Sequence, residues 1–348
     1  MPIPNARRTL YVLGFAAVAL VAIIAASLAA RPGTMQGAAS AGHASSLQEP
    51  TWQQLLGRSV QARKAGAVRE AEALLRQAVT LAATFGPNDM RRAHTRMAQA
   101  EFHLWSGQPE LAEPAYREAV TIGQAAGGTH HPELVSLLEG LANFYFYREH
   151  YDEVVPLHAH ILEIVRATKP YDAHEEARRL RNLAQVEQLR SRHAEASALN
   201  VRALELIETS PRRTPGETAE YLQAAAESYR AGAKAHLAQP LAIRALGLME
   251  SLAGPEALDV VPYLKTLADT SMEAGQPQRA GRLYERAIAI VERVSGPGHP
   301  DLAPYLLGLG SALQFQGKPA EADNHFARAR QVGDVTRQPR GTTAPATR

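Results

Sequence analysis

Small residues return along this chain at a fixed interval. One column runs through Ala71, Ala112, Val154, Ala196, Ala238, Ala280 and Ala322, at spacings of 41 and then five times 42. A second lies seven residues later, at Ala78, Ala119, Ile161, Ala203, Ala245, Ala287 and Ala329. A third precedes the first by twelve, at Ser59, Ala100, Ala142, Ala184, Ala226, Ala268 and Gly310. Seven residues are two helical turns, so the first two columns share one face of one helix, and the third falls on the helix before it. Two antiparallel helices approach closely only where facing positions carry little beyond Cβ, with larger groups filling the grooves beside them. The pattern predicts about seven antiparallel helix pairs over residues 51–333.

Punctuation between the elements agrees. The turn inside each pair falls at Gly66, Gly107, Gly275 and Gly317, with Glu149, Ser191 and Ala233 in the other repeats. Glycine there takes the left-handed conformation that ends a helix. Pro109, Pro277 and Pro319 follow two residues later, where a missing N–H has no partner to lose. The longer connections between pairs carry Gly86-Pro87, Lys169-Pro170, Thr214-Pro215, Gly254-Pro255 and Gly296-Pro297, each a helix stop.

These residues resemble the tetratricopeptide repeat, with small groups in three columns, a glycine before the second helix and a large residue at Tyr116, Tyr284 or Phe326. The 42-residue period, together with the loops ending His131-Pro132 and His299-Pro300, is similar to the kinesin-light-chain-type variant. HEAT-type repeats of similar period are the structural alternative; their helices usually lack this glycine and the three columns. The resemblance is strongest in repeats two, six and seven and weakens in three and four, where Val154, Ile161, Glu149 and Ser191 replace small or turn residues. It implies an all-α, right-handed α-solenoid with an extended concave surface lined by the first helix of each pair.

Carried onto this register, the family's groove positions fall at Met97, Glu101, Leu104 and Trp105 in the second repeat and at Glu139, Asn143, Phe146 and Tyr147 in the third. The fourth offers Arg181, Gln185 and Gln188, the fifth Gln223, Glu227 and Arg230, and the sixth Lys265, Asp269 and Met272. Asn143 is the leading candidate, because an amide bonds both backbone groups of an extended peptide. Trp105, Phe146 and Tyr147 are expected as apolar anchors, and Arg181 and Arg230 as carboxylate contacts. Phe144 to Tyr147 are four consecutive aromatics, so some must enter the core. The resemblance implies a non-catalytic scaffold binding a protein or peptide segment, with no cofactor; the alternative is a regulatory or substrate-recruiting subunit of a separately encoded enzyme.

The N-terminus adds a location. Arg7 and Arg8 precede 22 uncharged residues, Thr9 to Ala30. As a helix these reach roughly 33 Å, enough to cross a hydrocarbon core of about 30 Å. This reads as a signal anchor, with cleavage near Ser27 to Ala30, or later within Gly37 to Ala44, as the competing reading. The arginine pair keeps the N-terminus cytoplasmic and places the rest of the chain on the non-cytoplasmic side, or secretes it after cleavage. Residues 31–50, rich in Ala, Gly and Ser, form a spacer, and 334–348 a tail without apolar periodicity.

Composition narrows the chemistry. Apolar residues make up 45% but aromatics only 6%, which suits many small helix contacts better than a sheet-based core. Lys plus Arg total 37 against 35 Asp plus Glu, so no electrostatic footprint for nucleic acid exists. The absence of cysteine excludes disulfides, thiolate catalysis and a lipid-modified cysteine. His174-Glu175-Glu176-Ala177-Arg178 opens like a zinc-protease motif but has arginine where the second histidine belongs. His158 and His160 lie two apart on a helix, about 200° around it, and share no metal. His131 is accounted for by the loop motif.

Overall fold

A computed structural model describes residues 51–334 as helices and turns without a strand among them. The apolar run Thr9–Ala30, the spacer 31–50 and the tail beyond residue 334 lie outside the described residues. Among the described residues, no helix is long and apolar enough to cross a membrane.

Among the described residues fourteen α-helices form seven consecutive pairs, in two compact units that divide between Lys169 and Pro170. The first unit holds α1 (Trp52–Lys64), α2 (Val68–Ala82), α3 (Met90–Trp105), α4 (Pro109–Gly127), α5 (Leu134–Tyr147) and α6 (Tyr151–Ala167). The second holds α7 (Ala173–Leu189), α8 (His193–Thr209), α9 (Pro215–Ala231), α10 (Ala235–Ala253), α11 (Val261–Glu273), α12 (Pro277–Ser295), α13 (Ala303–Phe315) and α14 (Pro319–Asp334). Within each unit every second helix packs on the first helix of the next pair, and successive first helices also touch one another. Each unit is a stretch of α-solenoid with one face built from first helices.

The small-residue columns explain the pairing. All seven members of the first column are fully buried at 0% exposure, Val154 included, and the other two columns are buried throughout. The third repeat therefore keeps the same seam with larger side chains. Close approach is tightest where the small residue is glycine. On α13, Gly308 lies against the buried ring of Tyr284 from α12, and an added Cβ would overlap it.

Every intra-pair turn is left-handed. The φ angles are 75° at Gly66, 77° at Gly107, 70° at Gly275 and 77° at Gly317, and also 63° at Glu149, 60° at Ser191 and 57° at Ala233. At each, the next N–H closes back on the carbonyl five residues earlier, as in Gln276 to Ser271 at 2.8 Å and Lys234 to Tyr229 at 2.9 Å. This satisfies carbonyls that a helix end would otherwise leave open. Repeats three to five thus hold the glycine geometry without glycine, at roughly 1–2 kcal/mol each for a left-handed L-residue. The loop histidines also act as caps: Nδ1 of His131 accepts from the Glu133 N–H, and Nδ1 of His299 from the Asp301 N–H, both at 3.3 Å.

The second unit carries a further tie that the small-residue columns do not reveal. Arg244, Arg286 and Arg328, spaced by 42, bond Glu208, Glu250 and Glu292 on the preceding second helix, the first two pairs at 2.5 Å. Arg286 and Arg328 also donate to the carbonyls of Pro255 and Pro297 in the connections below them. These pairs are partly exposed, so each contributes at most about 1 kcal/mol, but they repeat at every junction from the fourth pair onward.

Two substitutions test this packing by chemical denaturation. Ala233→Gly is expected to raise stability by about 1 kcal/mol, since it relieves the left-handed strain and loses no contact. Gly308→Ala is expected to lower it by roughly 1–3 kcal/mol through overpacking against Tyr284.

Candidate functional site

In the first unit the candidate face is built by α1, α3 and α5. Its character is set by how α5 distributes its aromatic run. Phe144 and Tyr145 enter the core, at 2% and 4% exposure, where Phe144 lies 5.7 Å from the Tyr116 ring. The Tyr145 hydroxyl donates to Glu113 at 2.9 Å and accepts from Arg117 Nε at 2.8 Å. Phe146 and Tyr147 turn outward, edge to face at 5.9 Å, and Tyr151 supports Phe146 at 5.7 Å. Tyr147 is 46% exposed and Trp105 42%. Leu104 is exposed beside Trp105, whose ring leans on Phe102 at 5.9 Å. Asn143, one turn before Phe146 and Tyr147 on α5, is half-buried and makes no hydrogen bond among the described residues.

Met97 departs from the expectation. It is buried, because Gly140 on α5 leaves room for it: a methyl on Gly140 would sit 3.4 Å from its sulfur and 3.2 Å from the Tyr116 ring. It packs the seam between α3 and α5 and offers nothing to a ligand. Glu101 is placed on the face but bonded to Arg63 at 3.0 Å. Burial pushes its carboxyl above the ordinary range, and Arg63 pulls it only part of the way back. Glu139 is half-buried and already engaged within the fold.

The second unit presents a different surface on α7, α9, α11 and α13. Arg181 bonds Glu220 at 3.4 Å with its guanidinium 4.8 Å above the Tyr221 ring. Gln188 donates to Ser228 at 2.8 Å, and Gln185 stands exposed without a hydrogen bond among the described residues. Glu227 accepts from Gln223 and from Thr266, both at 3.1 Å. Arg230 bonds Glu273 at 2.8 Å, and Lys265 bonds Asp269 at 2.6 Å. Asp269 also accepts the Tyr284 hydroxyl, whose proton is held more tightly by burial and by that carboxylate. Arg181 and Arg230, expected as carboxylate contacts, each already pair with a carboxylate of this chain.

The groove positions assigned from sequence start one repeat late and stop one repeat early. Adding 42 to Lys265 and Asp269, and to Glu273 beside the assigned Met272, gives Leu307, Ser311 and Phe315 on α13, with Leu307 48% and Phe315 77% exposed. Phe315 is the most exposed large apolar side chain among the described residues. Leu189, exposed at the end of α7, holds the same helix-end position as Trp105 and Tyr147. The periodicity was sufficient to find all of them.

One constellation resembles a nucleophile–base set. His174 bonds Glu217 through Nδ1 at 2.9 Å and Ser210 Oγ through Nε2 at 2.6 Å. Ser210 is 5% exposed, and its oxygen also accepts the Arg212 N–H at 3.2 Å. The next residue is Pro211, which has no N–H to help hold an oxyanion. The arrangement ties the first turn of α7 to the α8–α9 connection and the first turn of α9. A nearby cavity of about 430 Å³, lined by Arg213, Thr218, Arg244 and Leu248 among others, is open to solvent. Among the described residues no three His, Asp or Glu side chains converge as metal ligands.

Residues 91–167 and 259–332 match the profile of the tetratricopeptide repeat family, which spans α3–α6 and α11–α14. None of the curated proteins matches the chain. Among solved structures, BtubC (BKLC) from P. vanneervenii aligns with a TM-score of 0.53 at 17% identity, covering 74% of this chain and 98% of that one. A putative kinesin light chain of Podosopora anserina with nearly identical TPR-like repeats aligns at 0.53 and 21%, covering 60% and 98%. The STAND signal transduction ATPase PH0952 from Pyrococcus horikoshii, which has a tetratricopeptide repeat sensor, aligns at 0.61 and 13%, covering 82% and 42%. At these identities the likeness concerns the fold.

The raised carboxyl of Glu101 has a pH signature. A carboxyl favoured in its neutral form stabilises the fold below its ordinary value of 4.5, and that contribution is lost as pH rises through the folded value. In urea titrations at pH 4 and pH 7, Glu101→Gln is therefore expected to gain stability relative to the parent protein at the higher pH.

Proposed function

We propose that this chain, whose residues 91–167 and 259–332 are tetratricopeptide repeats, is a membrane-anchored scaffold that holds a segment of a partner protein on its first-helix faces. One observation carries the reading. The last residue of a first helix is a large, exposed apolar group in four of the seven pairs: Trp105, Tyr147, Leu189 and Phe315. Solvent-facing apolar groups repeated at one structural position, two in each unit, are what interaction faces require and what a stability-driven surface avoids. Aromatic anchors beside an unused amide at Asn143 suit an extended segment, the amide bonding its backbone and the rings taking its side chains.

The anchor is the Thr9–Ala30 run, with Arg7 and Arg8 holding its N-terminal end in the cytoplasm and the repeats on the opposite side. Twenty residues rich in Ala, Gly and Ser, 31–50, separate this run from the repeats. Cleavage near Ser27–Ala30, or within Gly37–Ala44, would instead release the same repeats on the far side.

Fractionation and crosslinking of the tagged full chain test both parts. The chain is expected to stay with membranes after an alkaline wash, its repeats digested only by protease on the non-cytoplasmic side. The triple variant Trp105→Ala, Asn143→Ala, Phe146→Ala is expected to lose most of its crosslinked partner. Unchanged capture by that variant would end the groove reading, and release by the wash would end the anchor.

A further inference from the structure

The faces of the two units differ in kind, and that difference specifies a ligand. On the second unit, between the exposed Leu189 on its first helix and Leu307 and Phe315 on its last, Arg181, Arg230, Lys265 and Asp269 are each bonded within the chain, at 3.4, 2.8 and 2.6 Å. A charged peptide arriving there must displace an existing carboxylate or ammonium, and gains only the difference between two similar pairs. On the first unit the ionic groups Arg63 and Glu101 neutralise one another, and Glu139 is engaged within the fold. Lys64 apart, what remains available there is uncharged: the exposed Leu104, Trp105 and Tyr147, and the half-buried Phe146 and Asn143 amide. Lys64 stands at the α1 end of this strip, where Trp105 stands on α3.

We infer that the first unit binds an extended segment of about six residues whose anchoring side chains are apolar and uncharged. The inference rests on the groove reading above and names the partner's chemistry. The length follows from three first helices at roughly 8–10 Å spacing, some 20 Å of face, spanned at about 3.3 Å per extended residue. Charge complementarity argues the composition: apart from Lys64 at its α1 end, the strip has a neutral ion pair and no uncompensated charge, so an apolar segment leaves nothing unpaired while a charged side chain over its middle is desolvated without a partner. The Asn143 amide, with a donor and an acceptor, serves the segment's backbone and is indifferent to its sequence.

Calorimetric titration of the full chain with three blocked decapeptides tests this. One is composed of Leu, Phe, Ser, Asn and Gln, one has two Ser replaced by Glu, and one has the same two replaced by Lys. The neutral peptide is expected to bind tightest. Its Kd should change less than about two-fold between 0.05 and 0.5 M salt, since no ion pair is formed. It should weaken about ten-fold or more in Trp105→Ala and Asn143→Ala, and hold steady in Arg230→Ala. The variants' circular dichroism and melting, unchanged from the parent, would exclude loss of fold as the cause. Preference for the acidic or basic peptide, with affinity falling steeply in salt, would overturn the inference and leave the groove reading standing. So would neutral-peptide binding indifferent to Trp105 and Asn143 but lost with Arg181→Ala or Arg230→Ala. If no peptide binding responds to any substitution on either face, the groove reading falls as well.

Discussion

The structure depends on how closely two antiparallel helices can approach. Alanine and glycine at three facing positions let each pair close, and dispersion contacts then extend along the whole seam. Larger side chains flank the seam and reach the next pair, so each repeat is completed by its neighbour. That is why the first column is buried without exception, and why substitution by Val154 and Ile161 is tolerated where the third repeat adjusts around them. The left-handed turn is part of the same constraint. It reverses the chain in few enough residues to keep both helices in register, and three repeats hold it with Glu149, Ser191 and Ala233 despite the strain.

Once the seam is fixed, each first helix is left with one row of residues that packing does not dictate. The two units use that row differently. In the first it is aromatic and amide-bearing, with its ion pair already neutralised. In the second most of it is a ladder of charges and amides bonded between neighbouring first helices, ending at the exposed Leu307 and Phe315 on α13. Such a ladder adds register between repeats more than it adds recognition. The second helices carry their own register device, the Arg244, Arg286 and Arg328 series.

Much of this was legible in the sequence because a repeat states each rule seven times. The helix pairs, their turns and the small columns follow from spacing alone. The first-helix rows follow from the same register, and only extrapolation to α1 and α13 was missing. Which members of a row are open was not legible. Met97 is drawn into the seam by Gly140, a partner 43 residues away, and Arg230 is occupied by Glu273, also 43 residues away. Pairings across repeats depend on rotamer and burial, which spacing does not encode. The αL turns at Glu149, Ser191 and Ala233 belong to the same class: neighbouring repeats impose a conformation that the local residue disfavours.

The central claim, that first helices carry recognition, is tested most directly by amide hydrogen exchange of the full chain with and without its crosslinked partner. Added protection should concentrate at the C-terminal ends of α3 and α5, over Glu101–Trp105 and Asn143–Tyr147, with α4 and α6 little changed. Protection confined to the second helices, or none on α3 and α5, would contradict the account.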